Sequence, residues 1–556
     1  MIKALQYHNR FVMMLFAFSV SCSNLLAQTN VGTGIYLQTD GRSYITGEQI
    51  WCSIRVTDET NGRFADAGRI VFGALLDKSG TPLIQVRFSL EKGLAQGYIP
   101  LPSSLVSGIY MVAAVTGDPF LSAPPEPILV INPNKPPAPV KDGSAEMNTV
   151  IKNGTDNMVI SAAKQQYGKR EKISIDIDAA EAGASLLSMS IRRADTLELF
   201  ADSLLSGLSI QPVLTIKPET TSWEGLRLRA RVYPVNGTMP APDVQVYVSV
   251  IGSEALIATT VSDAGGYVNF LLPLVFADAQ LVFMPIHGGS SGYRIEFDPE
   301  PLEKSGEPGI PPLVLPGYLS GPIRTRVIES QVQNSFRPGE KTRLVIIDPD
   351  TTDFYGSPDK RYMLDDYTRF PNMEEIITEF VYEVRIRKNK EAVELQVVNA
   401  PYKKFFEEPA LVMMDGVPVT DVRQLMELDP LKIKSIDIVS RKFFLGNHSF
   451  PGIIHYKSYL GNLGGYTLPV DAAVYSFEGV QLQKEYLSPD YSISSDGRIP
   501  DFRNLLFWSP AFMTDRQGKK RIDVYSGDLD GNYHISIHGI SATGKQLNGS
   551  AKVDIK

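Results

Sequence analysis

The chain has 556 residues, 43% of them apolar, and a formal charge of -8 from 54 basic and 62 acidic side chains scattered along it. No basic stripe is present to neutralise phosphates, which excludes nucleic acid as the expected partner. Only Cys22 and Cys52 carry thiols, and no later run reaches the 18 or so apolar residues of a membrane helix, so burial in about three to five domains must supply the stability.

Residues 1–27 read as a secretory signal: Lys3 and Arg10 flank the start, Phe11 to Val20 is apolar, and Leu25-Leu26-Ala27 places a small residue before Gln28. Ser19-Val20-Ser21-Cys22 is a rival, lipobox-like reading with Cys22 as lipid acceptor, although Ser19 stands where Leu is expected. Either way the mature chain is exported, and Cys52 alone cannot form an intramolecular disulfide.

The module at 34–120 shows strand periodicity, with Ile50, Cys52 and Ile54 alternating with Trp51, Ser53 and Arg55. Its Tyr44-Ile-Thr-Gly-Glu48 turn and its Gly108-Ile-Tyr110 strand resemble the macroglobulin-type β-sandwich. That resemblance raises the family's internal thioester, which needs a Cys directly before Gly47-Glu48-Gln49. Thr46 stands there and Cys52 follows three residues later, so no covalent trap is expected. The seven prolines from Pro124 to Pro139 remove backbone donors and mark 121–150 as a linker.

A second sandwich is expected over 155–220, where Tyr167-Gly-Lys-Arg-Glu171 repeats the strand entry and Leu187, Met189 and Ile191 alternate. A third is expected over 222–298, where Leu226, Leu228, Ala230 and Val232 alternate. A hairpin there uses Asp263 and Gly265 as residues tolerant of positive φ. This third module resembles the carboxypeptidase regulatory-like sandwich. Pro299 to Pro322 is rich in Pro and Gly, so 299–364 reads as a connector with strands rather than a packed element. One helix is clear: Asn372 caps, Glu375 sits at the capping-box position, and Met373, Ile376, Ile377 and Phe380 share a face.

Residues 365–465 carry the most specific pattern. A strand ends in Asp415-Gly416-Val417-Pro418, Thr420 or Asp421 caps a short helix, Asp429-Pro430 stops it, Ile436 and Ile438 share a strand face, and Gly452-Ile-Ile begins another strand. The segment resembles the plug domain of TonB-dependent outer-membrane receptors. About a hundred residues follow Tyr456, far short of the strands of a receptor barrel. The resemblance then implies docking onto an outer-membrane β-barrel protein or complex rather than a pore made by this chain.

Residues 466–510 form an aromatic-rich connector whose Arg498, Phe502, Arg503, Phe507 and Trp508 suit either a partner contact or an interdomain clamp. Residues 511–556 read as the strands of a C-terminal sandwich, with a surface-export signal as an alternative for the tail. His534 and His538 fall on one strand face about 13 Å apart, too far to share a metal, and read as solvent-facing. His448 and His455 have no Cys or carboxylate at ligand spacing. Asp348 to Asp353 and Asp528 to Asn532 read as acidic turns rather than calcium loops. No catalytic motif is present.

The expected fold class is mainly β, tandem immunoglobulin-like or macroglobulin-like sandwiches plus one small α+β plug-like domain, with no cofactor and no metal. The expected function is a non-enzymatic scaffold or accessory subunit at the outer membrane, serving barrel assembly, surface lipoprotein export or TonB-dependent transport. A macroglobulin-like protease-binding or adhesion protein, or a separately encoded transporter plug, is the alternative.

Overall fold

The computed structural model describes residues 33–556 apart from 59–63, 66–68, 118–119, 136–156, 209, 212, 218–224, 253, 287–291, 300, 337–341, 346–352, 390–391, 447, 494–497 and 543. The signal sequence and Cys22 lie outside the described residues. The chain is mainly β: several β-sandwiches and one small α+β domain.

Ile50, Cys52, Ile54 and Val56 on the strand Gln49–Asp58 point into the first sandwich and are wholly buried. Its intervening Trp51, Ser53 and Arg55 are also buried, at 5%, 0% and 4% exposure, because another domain covers that face. The expected half-buried strand is therefore buried on both sides. The nine strands of this sandwich run from Thr33–Thr39 to Glu126–Ile131. That last strand corrects the linker expected over 121–150: its prolines flank the strand or, at Pro127, sit near its start, where a missing donor is tolerated.

The second sandwich pairs Lys172–Asp178 with Lys519–Tyr525 and Ser185–Arg193 with both Leu505–Met513 and Gly531–Ser541. Gln166–Tyr167 runs parallel to the end of Gln546–Ile555. The strands of 511–556 thus complete the second sandwich and do not form a separate one. Leu187, Met189 and Ile191 meet Tyr533, Ile535 and Ile537 in one core. Neither half has a buried partner for its apolar face without the other.

The third sandwich is built the same way. Leu226–Pro234 lies between Tyr267–Leu272 and Tyr293–Phe297, while Asp278–Pro285 pairs with Ala473–Glu478 from the region expected to be a connector. At its hairpin Asp263 accepts from the Gly265 and Tyr267 amides, and it is Gly266 that takes the positive φ. The α+β domain then sits inside the third sandwich's sequence. Its sheet runs Lys360–Met363, Ile433–Val439, Ile453–Ser458, Leu411–Met414 and Val417–Pro418, flanked by the helices Met373–Phe380 and Val422–Met426. The topology is nested: the α+β domain interrupts the third sandwich, which interrupts the second.

Two further helices were not expected. Thr196–Leu205 is capped by Asp195, which accepts from the Glu198 amide, and buries Leu197, Phe200, Ala201 and Leu205. Ser320–Phe336 corrects the reading of 299–364 as unpacked: its buried face is Arg326, Glu329 and Gln333, while Ile328 and Phe336 are exposed.

Candidate functional site

Met413 and Met414 pair with Pro418 and Val417 across a two-residue turn, which demands positive φ at both central positions; Asp415 has φ 45° and Gly416 φ 83°. Asp415 is wholly buried. Its carboxylate accepts from the Ser458 amide at 2.7 Å, the Ser458 hydroxyl at 2.5 Å and the Leu463 amide at 2.7 Å, tying the turn to its own domain. Its carbonyl accepts from the Gly252 amide of the third sandwich at 3.0 Å. A Cβ on Gly416 would stand 2.7 Å from the Val250 carbonyl oxygen. The turn is a joint between domains, and Val417 and Pro418 are buried with it.

The remaining plug-like residues keep the domain's interior in order. Asp429 accepts from the Leu431 amide and starts a short 3-10 turn at buried Pro430; Ile436 fills the core; Gly452 takes φ 116° with Val397 and the Val439 carbonyl closing around it.

Behind the turn lies a buried polar network. The Gly416 amide donates to His455 Nε2 at 3.0 Å, so the ring's own proton sits on Nδ1, 2.8 Å from the Tyr355 hydroxyl. That hydroxyl donates to Asp437 at 3.2 Å. Arg361 grips both oxygens of Asp437 at 2.5 and 2.6 Å, and Lys457 Nζ lies 2.7 Å from Asp353 and 3.4 Å from Asp437. Asp353 also accepts from the Ala255 amide, reaching the third sandwich. Burial, with the Lys457 charge nearby, pulls His455 down to about 4. Burial alone would raise Asp437, but the Arg361 bond and the Lys457 charge hold it below the usual carboxylate range. Spacing along the sequence gave no hint of this grouping, because its members come from three distant segments.

Asp353, Asp437 and His455 bring ligand atoms within 4.8 Å of one another, the one such group among the described residues. Their chemistry does not fit a metal ion. Two cationic side chains already balance the two carboxylates, and the Lys457 ammonium occupies the point between them where an ion would sit. Asp348 and Asp350 lie outside the described residues. Asp528 pairs with both ends of the Arg170 guanidinium, which leaves no calcium loop there.

The aromatic-rich stretch divides. Trp508 and Leu505 pack with Trp51 of the first sandwich, flanked by Tyr98 and Tyr486. Arg503 is 3% exposed and forks onto Asp501 at 2.7 and 2.8 Å. The Phe502 amide donates to Gln333 of the Ser320–Phe336 helix; Phe507 is half-buried against the second core; Arg498 alone is exposed. Trp508 and Phe502 therefore reach across to neighbouring elements, while Arg503 and Phe507 hold the second sandwich itself together. His534 and His538, expected to face solvent, are half-buried in the joint between the first two sandwiches, and burial lowers His534.

What faces outward on the α+β domain is an apolar tip. Leu431, Tyr459 and Leu460 are 66%, 46% and 80% exposed. The Tyr459 amide donates to the Lys432 carbonyl, and Arg369 fixes the rim by donating to the carbonyls of Pro430 and Ile433 and to the Tyr459 hydroxyl. No sequence signal marked these residues, since single exposed apolar side chains are common.

No family model and no curated protein matches the sequence. Among solved structures, the chain is similar to native Escherichia coli alpha-2-macroglobulin at 10% identity and TM-score 0.24, over 95% of this chain and 40% of that one. Salmonella alpha-2-macroglobulin reacted with methylamine gives 10% identity and TM-score 0.23, over 95% and 40%. The Yersinia pseudotuberculosis adhesin InvE gives 11% and 0.13, over 48% and 58%. The chain thus spans about two fifths of the macroglobulins' length, and scores of this size assign no family.

Proposed function

We propose that this chain is an exported, non-catalytic binding protein of the macroglobulin-like or adhesion kind, which holds another protein against the apolar tip of its α+β domain. The tip carries this reading. Leu431, Tyr459 and Leu460 are exposed on a rim pre-ordered by Arg369, and rigid apolar side chains bind at low entropic cost. The interlocked sandwiches behind it serve as a stiff support. A photo-crosslinking residue at position 460, read by mass spectrometry of the envelope fraction, tests the idea. One specific adduct is expected, lost in a Leu431→Ser, Leu460→Ser double variant of unchanged melting temperature; a chain that stays an uncrosslinked monomer overturns it.

Docking on an outer-membrane barrel is the narrower reading. Its support is the resemblance of 408–456 to receptor plugs; against it stands the burial of Asp415 to Pro418 in a joint within this chain. The identity of the adduct separates a barrel from a protease or an adhesion target.

A further inference from the structure

A cavity of about 350 Å³ lies between the edge strand Thr33–Thr39 of the first sandwich and the strands Ser185–Arg193 and Gly531–Ser541 of the second, with the helix Thr196–Leu205 at one end. Three arginines line it, and two are matched. Arg192 meets Asp40 at 2.5 Å and Glu198 at 3.6 Å, and Arg42 meets Asp202 at 3.7 Å. Arg55 is not. It is 4% exposed, and its Nη2 spends itself on neutral acceptors, the Gln38 side-chain oxygen at 3.4 Å, the His538 carbonyl at 3.3 Å and the Ser188 hydroxyl. Its Nε has no partner, and neither has the Gln38 Nε2 beside it. Burial pulls Arg55 down to about 10, which leaves it charged at neutral pH.

A buried guanidinium without a carboxylate is a costly arrangement that natural interiors avoid. Here the missing charge has a place to come from, because the wall opens into a cavity of the size that small ligands fill. We propose that this cavity binds a carboxylate monoanion, either a small organic acid or the C-terminal carboxylate of a peptide, with Arg55 as its counter-charge. Arg55 is the one lining guanidinium with no carboxylate partner. The four lining carboxylates Asp40, Glu126, Glu198 and Asp202 already outnumber the three arginines, so a ligand of single charge is favoured over a doubly charged phosphate or sulfate. One neutral donor fits the same ligand, the unspent Gln38 Nε2, while on the rim His538 Nδ1 and the Asn548 side-chain oxygen are held to each other at 2.9 Å. This site is independent of the apolar tip, so either assignment survives loss of the other.

Titration calorimetry on the full mature chain tests it with N-acetylglycine, an N-acetylated tetrapeptide with a free carboxyl end, the same peptide as its C-terminal amide, and sulfate. Binding of one or both free acids is expected, with the amide and sulfate silent. If only the peptide binds, its source is a chain end; if both bind, a small acid suffices. Arg55→Gln should weaken binding at least about tenfold. Should that variant misfold, Gln38→Glu supplies the carboxylate from within: it should keep or raise the melting temperature and abolish binding. No binding of either acid at about 10 mM, a range in which any useful site registers, or binding unchanged by Gln38→Glu, overturns the assignment.

Discussion

At position 416 the backbone both turns through φ 83° and approaches the Val250 carbonyl too closely for any side chain. Gly416→Ala should therefore cost about 2 to 3 kcal/mol, combining the left-handed penalty with a forced separation of the two domains. A denaturant midpoint unchanged from the native chain contradicts this. His455 makes a pH-dependent contribution at the same joint. Its folded value near 4 lies below the ordinary 6.5, so the unfolded chain takes up the proton more readily. Stability from this ring is full above about pH 6.5 and falls as the pH drops toward 4, by at most about 3 kcal/mol. Asp202 acts in the opposite sense, since burial and Glu198 raise it from 3.8 to about 6 and acidification relieves it. The measurement is a difference: His455→Gln should flatten the pH dependence of the unfolding free energy relative to the native chain, and parallel curves would refute the assignment.

Helices show which patterns a sequence discloses. Met373–Phe380 was legible because its cap, Asn372, and its apolar face, Met373, Ile376, Ile377 and Phe380, follow the 3.6-residue period, and the structure has both, with Asn372 accepting from the Glu375 amide at 3.0 Å. Asn372→Ala should cost about 1 kcal/mol in thermal or chemical unfolding. Ser320–Phe336 was illegible because its polarity is inverted. Arg326, 2% exposed, donates to the Ser43 hydroxyl and carbonyl at 2.7 and 2.8 Å and lies 3.4 Å from Asp195, so the face turned inward is charged. Periodicity methods look for grease, and this helix binds through ions. Arg326→Ala should cost about 3 kcal/mol, since half-buried Asp195 would lose its cation and buried Glu198 would keep only Arg192; a loss below about 1 kcal/mol would show that water replaces it. In the α+β domain Asp415 and Gly416 were read as the end of a strand, whereas they form the turn between two short strands, and the Tyr355, Asp437 and His455 network was not legible because contact between distant segments leaves no spacing to read.

For the whole molecule, local alternation identified the strands, while their partners lay beyond reach. Ser185–Arg193 and Gly531–Ser541 pair directly although more than three hundred residues separate them, and nothing in either strand says so. Modules expected in a row are instead nested. Removing 511–556 should consequently unfold the second sandwich, seen as new protease cleavage within 159–193, while 226–297 with 473–478 and the α+β domain stay resistant; a truncated chain that leaves 159–193 protected would contradict the pairing.

The nesting also decides where tension travels. A pull applied between the first sandwich and the strand Gln546–Ile555 enters the second sandwich near residue 159 and leaves it near residue 555, through strands that are hydrogen-bonded across the gap. By connectivity everything from 194 to 504 branches off that line, tied back to the first sandwich sideways, as by Arg326 on Ser43 and Arg87 on the Pro299 and Glu478 carbonyls, so the covalent chain through the tip at Leu431, Tyr459 and Leu460 is not itself pulled.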